Sequence, residues 1–380
     1  MEIKNLNEVC MINMGQSPDS SSYNDKKEGL AFYQGNADFG EIHPTTRVWC
    51  NNPIKIAEKD DILISVRAPI GSMNIANEKC CIGRGLASIK PIDKNECNQN
   101  YLYYFLESKV PYMQSKGTGS TFKAINKGIL TSLQIKLPNI REQEKISSII
   151  SKIKAQIHNK KLQIRKYDEL VKSQFIEMFG DLKNNSKNFE LATIKDYFRV
   201  GSSKRVFEKD WTKSGVPFYR AREVVKLSEN GFVDNELFIS EKMYQEYSMK
   251  YGKPCADDII VTAVGTLGKT YIVKPNDKFY YKDGNIILLH KINDISSIYV
   301  NYLYQTDFIK DQIIKTANVI TVGTYTIKNA QNTQIIVPPI ELQNQFADFV
   351  KLIDKLKFTL KEEIKKLQEC YNSLMKEYFE

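Results

Sequence analysis

Residues 138–179 read PNIREQEKISSIISKIKAQIHNKKLQIRKYDELVKSQFIEMF, and residues 338–379 read PPIELQNQFADFVKLIDKLKFTLKEEIKKLQECYNSLMKEYF. The two stretches align without a gap, 200 positions apart. Pro138, Ile140, Gln143, Ile153, Lys161, Ile164, Lys166, Glu169, Ser173, Glu177 and Phe179 recur as Pro338, Ile340, Gln343, Ile353, Lys361, Ile364, Lys366, Glu369, Ser373, Glu377 and Phe379. An ungapped match of this length marks an internal duplication. From Ile353 onward the apolar positions of the second copy step by three or four, close to the seam of a coiled coil. Ile146, Ile149, Ile150, Ile153, Ile157, Ile164, Tyr167, Val171, Phe175 and Met178 draw a comparable stripe on the first. A proline precedes each start, and Asn139 with Glu142 has capping-box spacing. Gly180 closes the first helix ahead of a polar run at 183–188. About 38 residues at roughly 1.5 Å each make a rod of about 57 Å. One such rod alone exposes its stripe, so the two are expected to pair antiparallel. The alternative is that each packs on its own domain.

Working outward, the segments ahead of each helix also correspond. Leu6–Val9 resembles Leu191–Ile194, Gly15-Gln16-Ser17 resembles Gly201-Ser202-Ser203, and Gly29–Tyr33 resembles Gly215–Tyr219. Asp60–Ser65 matches Asp257–Thr262, and Asn100–Tyr103 matches Asn301–Tyr304. The changing offsets indicate loops that diverged on one scaffold. Strands are expected at Ile62–Val66, Leu86–Lys90, Ile259–Ala263, Lys269–Val273 and Ile286–Leu289, with short helices near 100–115 and 299–316. The fold class is therefore α+β: two pseudo-repeated α+β domains joined by two long helices that form an antiparallel coiled coil. The segments are a first domain at 1–137, a central helix at 138–180, a second domain at 181–337 and a C-terminal helix at 338–380.

Composition narrows the chemistry. The chain has 380 residues and a net charge of +9, from 54 Lys and Arg against 45 Asp and Glu, which favours an anionic partner. Residues 141–181 hold nine basic and six acidic side chains, and residues 341–380 hold seven and eight. The helices are nearly neutral, so most of the excess belongs to the domains. No apolar run reaches the roughly 20 residues of a membrane span, and the N-terminus lacks the pattern of a secretion signal. Seven cysteines without regular spacing are expected to be free thiols, and Cys80-Cys81 to point to opposite faces of a strand. The three histidines, His43, His158 and His290, lie near no second ligand at metal spacing, so no metal site is expected.

A variable α+β domain and a long helix, then the same again, resembles the specificity subunit of type I restriction-modification enzymes. The resemblance covers essentially the whole chain. It rests most on Asp61–Gly71, Gly83–Ser88, Gly119–Ile125 and Leu137–Gln143, with Gly215–Arg220 and Val337–Ile340 in the second half. The second half departs where Val264-Gly265-Thr266 replaces Arg67-Ala68-Pro69, and where Thr321–Ile327 lacks the Ser-Thr-Phe-Lys of the first half. The resemblance implies target-recognition domains that each read one half of a split double-stranded DNA site. It also implies no catalysis by this chain and no cofactor bound to it. S-adenosylmethionine, ATP and magnesium would serve two methyltransferase subunits and the restriction/translocase subunits, in a bacterial or archaeal cytoplasm, with no membrane partner. The rod would be a ruler, since half-sites on one face of DNA lie about 34–36 Å apart. Loss of about four residues would shorten it by about 6 Å, or roughly two base pairs.

Candidate DNA contacts come from polar residues in glycine-rich turns. Arg67 and Arg84 have the fork for guanine, and Gln34 and Asn36 the amide for adenine. Ser120, Thr121 and Lys123 suit phosphate. Arg220, Arg222, Lys204, Arg205 and Lys269 are their counterparts in the second domain, and Gln16, Ser17, Ser65, Ser202, Thr262, Thr321 and Tyr325 complete the set. Three other motifs fail. Ala263–Thr270 fits a loose phosphate loop but continues as a strand ended by Pro275. Val337–Ile340 lacks the acid or amide and the aromatic of an adenine methyltransferase. The doublets Asp60-Asp61 and Asp257-Asp258 read as turn residues. The competing function is a duplicated coiled-coil scaffold whose domains bind proteins instead of DNA.

Overall fold

The computed structural model describes residues 2–119, 123–316 and 323–380. The chain divides into two compact units, one of residues 1–162 with 361–380 and the other of residues 163–360.

The first unit is built on an antiparallel sheet in the order Cys10–Met14, Leu86–Pro91, Ile62–Ser65, Met73–Ile75. Alternation along these strands feeds two cores, as a two-residue period must. Ile62, Ile64, Ala87 and Ile89 face a helical core with Tyr101, Leu102 and Phe105, whereas Leu63 and Leu86 face a smaller core with Tyr33 and Ile82. The smaller core is covered by a five-stranded sheet in which Leu30–Tyr33 runs parallel to Cys80–Ile82. The second unit repeats the plan with Phe198–Gly201, Ile286–Lys291, Ile259–Thr262 and Thr270–Ile272. Ile259, Val261, Ile287 and Leu289 take one side, Ile260 and Ile286 the other. Val216–Tyr219 runs parallel to Tyr280–Tyr281, matching the parallel pair of the first unit. Between the matching strands, the second unit has helices Ala221–Asn230 and Glu241–Tyr251 where the first unit has loops and small strands.

The long helices run over Ile140–Phe179 and Ile340–Phe379, 40 residues each. Within the first unit, Ile146 and Ile150 share a core with Met375 and Phe379, while Lys160 pairs with Glu363 at 2.6 Å. One number rises as the other falls, so the helices are antiparallel there. Within the second, Val171, Phe175 and Phe179 pack with Phe346, Val350 and Ile353, and Lys357 pairs with Asp168 at 2.6 Å. The pairing and the packing on domain cores, posed as alternatives by the sequence, both occur. Phe179 lies 4.7 Å from Tyr299 and 5.5 Å from Phe346, ring centre to ring centre. Full burial of each such ring contributes about 1.5–3 kcal/mol.

Each helix start is pinned by its repeated glutamine. Gln143, fully buried, donates to the carbonyls of Glu96 and Pro138, both at 2.8 Å, and accepts from the Asn98 N–H at 2.8 Å. Gln343 donates to the Pro338 carbonyl at 2.7 Å and accepts from the Ser296 N–H at 3.0 Å. Asn139 accepts from the Glu142 N–H at 3.0 Å, the N-cap half of the expected box.

One sequence match is corrected. The short helix Leu6–Val9 corresponds to the helix Ile194–Tyr197, not to Leu191–Ile194, because each follows the outer strand of a two-stranded sheet. Leu6 N–H bonds the Leu133 carbonyl, and Ile194 N–H bonds that of Thr333. No helix among the described residues is long and apolar enough to cross a membrane.

Candidate nucleic-acid interface

In each unit the parallel strand pair ends at one rim, and that rim gathers most of the sequence candidates. In the first unit Leu30–Tyr33 runs out into Gln34, and Cys80–Ile82 into Gly83-Arg84-Gly85. Gly83 N–H bonds the Tyr33 carbonyl at 2.8 Å, and Gln16 N–H bonds that of Ile82 at 3.0 Å. Ser17 Oγ accepts from the Arg84 N–H at 3.3 Å. Val66 N–H bonds the Gly85 carbonyl, and Ile125 N–H bonds that of Val66, which brings Arg67 and Lys123 to the same edge. Gln16, Gln34, Arg67, Arg84 and Lys123 are exposed, with Ser17 and Asn36 half-buried.

The glycines here let turns pack closely on one another. A Cβ at Gly85 would stand 2.3 Å from the Gln34 carbonyl oxygen, and one at Gly15 would stand 2.2 Å from that of Gly83. Their missing side chains let one turn press on the next.

The second unit forms the same rim from different residues. Lys282 N–H bonds the Tyr219 carbonyl at 2.8 Å, and Ser203 Oγ donates to the Tyr281 carbonyl at 2.6 Å. Ser202 Oγ donates to the Ile286 carbonyl at 3.2 Å, and Arg205 holds Asp283 at 2.9 Å. Lys204 and Arg205 are exposed, and Lys204 N–H meets the Tyr280 hydroxyl at 3.0 Å. Arg220 and Arg222 converge on Glu223, a residue the sequence reading passed over. Burial opposes ionisation of Glu223, yet hydrogen bonds from Arg220 and Arg222 hold its carboxyl below the usual range.

Four candidates do not belong to a rim. Ser65 is buried, with its hydroxyl on the Arg67 carbonyl at 2.8 Å. Thr262 is buried, bonding the Thr266 carbonyl and accepting from the Lys269 N–H. Tyr325 is buried against Thr333 and Tyr304. These three fasten turns. Lys269 pairs with Glu229 at 3.5 Å beside a cleft of about 850 Å³ lined by Lys172, Phe175, Tyr302 and Phe308. Ser120, Thr121 and Thr321 lie outside the described residues.

The structure also corrects the expectation about histidine. Cys255, Asp258 and His290 bring potential metal-ligand atoms within 4.8 Å of one another. Their setting is a duplicated turn clamp. Asp258 accepts from the Cys255 N–H at 2.8 Å and faces His290 Nδ1 at 3.0 Å. Asp61 accepts from the Glu58 N–H at 3.1 Å and faces Lys90 at 4.0 Å. His290 stands where Lys90 stands, so the cluster repeats the clamp of the first unit. Asp60 and Asp257, with φ of 71° and 70°, are turn residues as expected. Cys80 and Cys81 are free, buried and in different cores, and burial pushes their thiols up to about 12 and about 11.

Residues 1–166 and 186–369 match the family described as type I restriction modification DNA specificity domain. A putative type I restriction enzyme MjaX specificity subunit of Methanocaldococcus jannaschii is 47% identical over 142 residues, 37% of this chain and only 33% of that relative. The MjaIX specificity subunit of the same organism is 25% identical over 340 residues, 83% of this chain and 76% of that one. The crystal structure of a type I restriction-modification system S subunit from M. genitalium aligns over 100% of this chain and 96% of its own, with a TM-score of 0.61 at 17% identity, which shows the fold. With two copies of the family's domain on a duplicated fold, the chain belongs to the type I restriction-modification DNA specificity family.

Proposed function

We propose that the chain is the non-catalytic recognition subunit of a type I restriction-modification complex, acting in the cytoplasm, with each unit reading one half of a split DNA site. The observation that carries this is a contrast between what the duplication kept and what it changed. Three backbone bonds of the rim recur, Gly83 to Tyr33 as Lys282 to Tyr219, Val66 to Gly85 as Ala263 to Asn285, and Ile125 to Val66 as Tyr325 to Ala263. Gln34, Arg67 and Arg84 in one unit give way to Arg220, Arg222, Lys204 and Arg205 in the other. Constant geometry with changed donors suits two different base sequences, because base edges are read by donor and acceptor patterns.

Other features were kept. Ile92 and Ile292 are both exposed, each with its N–H on the last residue of a short helix, Val9 or Tyr197. Ile3 and Leu191 are likewise exposed at matching positions of the two-stranded sheets. Large apolar side chains held exposed twice on one scaffold support a protein partner present in two copies. We assign these faces to two modification subunits, which supply S-adenosylmethionine chemistry, while ATP and magnesium serve restriction subunits. The protein-only scaffold explains the shared apolar faces but not the divergent rims.

The test is selection of random duplex DNA by the full chain co-expressed with its modification subunit. A two-part sequence with a fixed gap is expected, with log affinity falling linearly in log salt. Enrichment of no sequence overturns the proposal.

A further inference from the structure

Deepening the DNA-reading proposal and resting on it, the geometry points to Asp38 and Glu223 as positioning residues. Each fixes an arginine that reads a base edge: Arg47 for the first half-site and Arg222, on guanine, for the second.

Both carboxylates occupy one place in the fold. Where Leu30–Tyr33 ends, the third residue of the short helix Asn36–Asp38 turns back, and its Oδ2 accepts the N–H groups of Gln34 at 2.7 Å and Gly35 at 3.3 Å. Where Val216–Tyr219 ends, the third residue of helix Ala221–Asn230 does the same, with its Oε2 accepting the Arg220 N–H at 3.0 Å. These bonds cap a helix start and satisfy the fold.

The second oxygen does something the cap does not need. In Asp38, Oδ1 takes Arg47 Nη2 at 2.6 Å, and the same nitrogen donates to the Ala37 carbonyl at 2.8 Å. In Glu223, Oε1 takes Arg220 Nη2 at 3.1 Å and also Arg222 Nε, while Arg222 Nη2 reaches Glu236 at 2.8 Å. The arginines reach this oxygen by different routes, Arg47 from a loop nine residues on and Arg222 from inside the helix.

The pairs are also arranged for display. The carboxylates are largely buried, 12% and 3% exposed at the side chain, whereas Arg47 and Arg222 are 58% and 53% exposed. Arg222, held through Nε by Glu223 and through Nη2 by Glu236, keeps its Nη1–Nη2 edge for the O6 and N7 acceptors of guanine. Arg47, with both Nη2 hydrogens engaged by Asp38 and Ala37, presents Nη1 and Nε to single acceptors. Arg220, only 25% exposed and bonded to both oxygens of Glu223, orients the carboxylate.

The test repeats the duplex selection on the full chain with its modification subunit, for the wild type and for R47K, D38N, R222K and E223Q. Lysine keeps the charge and loses the planar fork. R47K and R222K are each expected to lower discrimination at one base pair of one half-site by on the order of tenfold or more, leaving the salt slope and the other half-site unchanged. D38N and E223Q should relax the same base pairs as R47K and R222K respectively. Thermal unfolding of every variant is measured alongside. Uniform loss of affinity across sequences, or base preferences unchanged in the folded variants, overturns the assignment while leaving DNA reading intact. A wild type that selects nothing overturns both.

Discussion

Gln143 and Gln343 show what one side chain can decide. Each sits fully buried at the entry to a long helix and ties it to the proline carbonyl just after the preceding strand and to the N–H of the residue that caps a neighbouring helix. Replacing Gln343 by leucine keeps the volume but strands the Ser296 N–H and the Pro338 carbonyl without partners. Such orphans cost about 1–3 kcal/mol. A lowered midpoint in thermal unfolding of Q343L, without change in helical circular dichroism at low temperature, is the expected result. The glutamine was legible as a repeat but not as a pin, since the N–H it accepts from lies 45 positions away for Gln143 and 47 for Gln343. The same limit applies to the rims. Ser65, Thr262 and Tyr325 look like donors in polar turns, and only strand register, or for Tyr325 its contact with Thr333 and Tyr304, turns them inward. Arg47 and Glu223 lie in no repeated motif, so their role emerges only where the chain folds back on Asp38 and Arg220.

At the scale of the element, the long helix was the most legible part of the molecule. Its stripe, its start after a proline and its end at Gly180 are all local signals, and the helix Ile140–Phe179 has those bounds. As a proposed spacer, it makes a length prediction. Removing four residues from both helices, at facing positions, shortens them by about 6 Å and keeps the apolar face nearly in phase, because four is close to the 3.6 residues of a turn. The gap between half-sites in the duplex selection is expected to shrink by roughly two base pairs. An unchanged gap would remove the spacer role from the helices.

For the whole molecule, the duplication predicts a division of labour. Replacing residues 1–137 with the corresponding domain of a relative should change one half of the selected sequence and leave the other half and the gap as they were. Changes in both halves would show that the units do not read independently. The amino-acid sequence by itself determined the duplication, the α+β class, the helices and their family, because apolar period and repeat alignment are properties of neighbours along a chain. Only the tertiary structure decided which polar residues reach a rim, which glycines are spent on turn-against-turn packing, and that an Asp–Cys–His cluster restates an Asp–Lys clamp. Those are questions of register and distant contact. A one-residue change of strand register sends a side chain to the opposite face, and no local pattern records it.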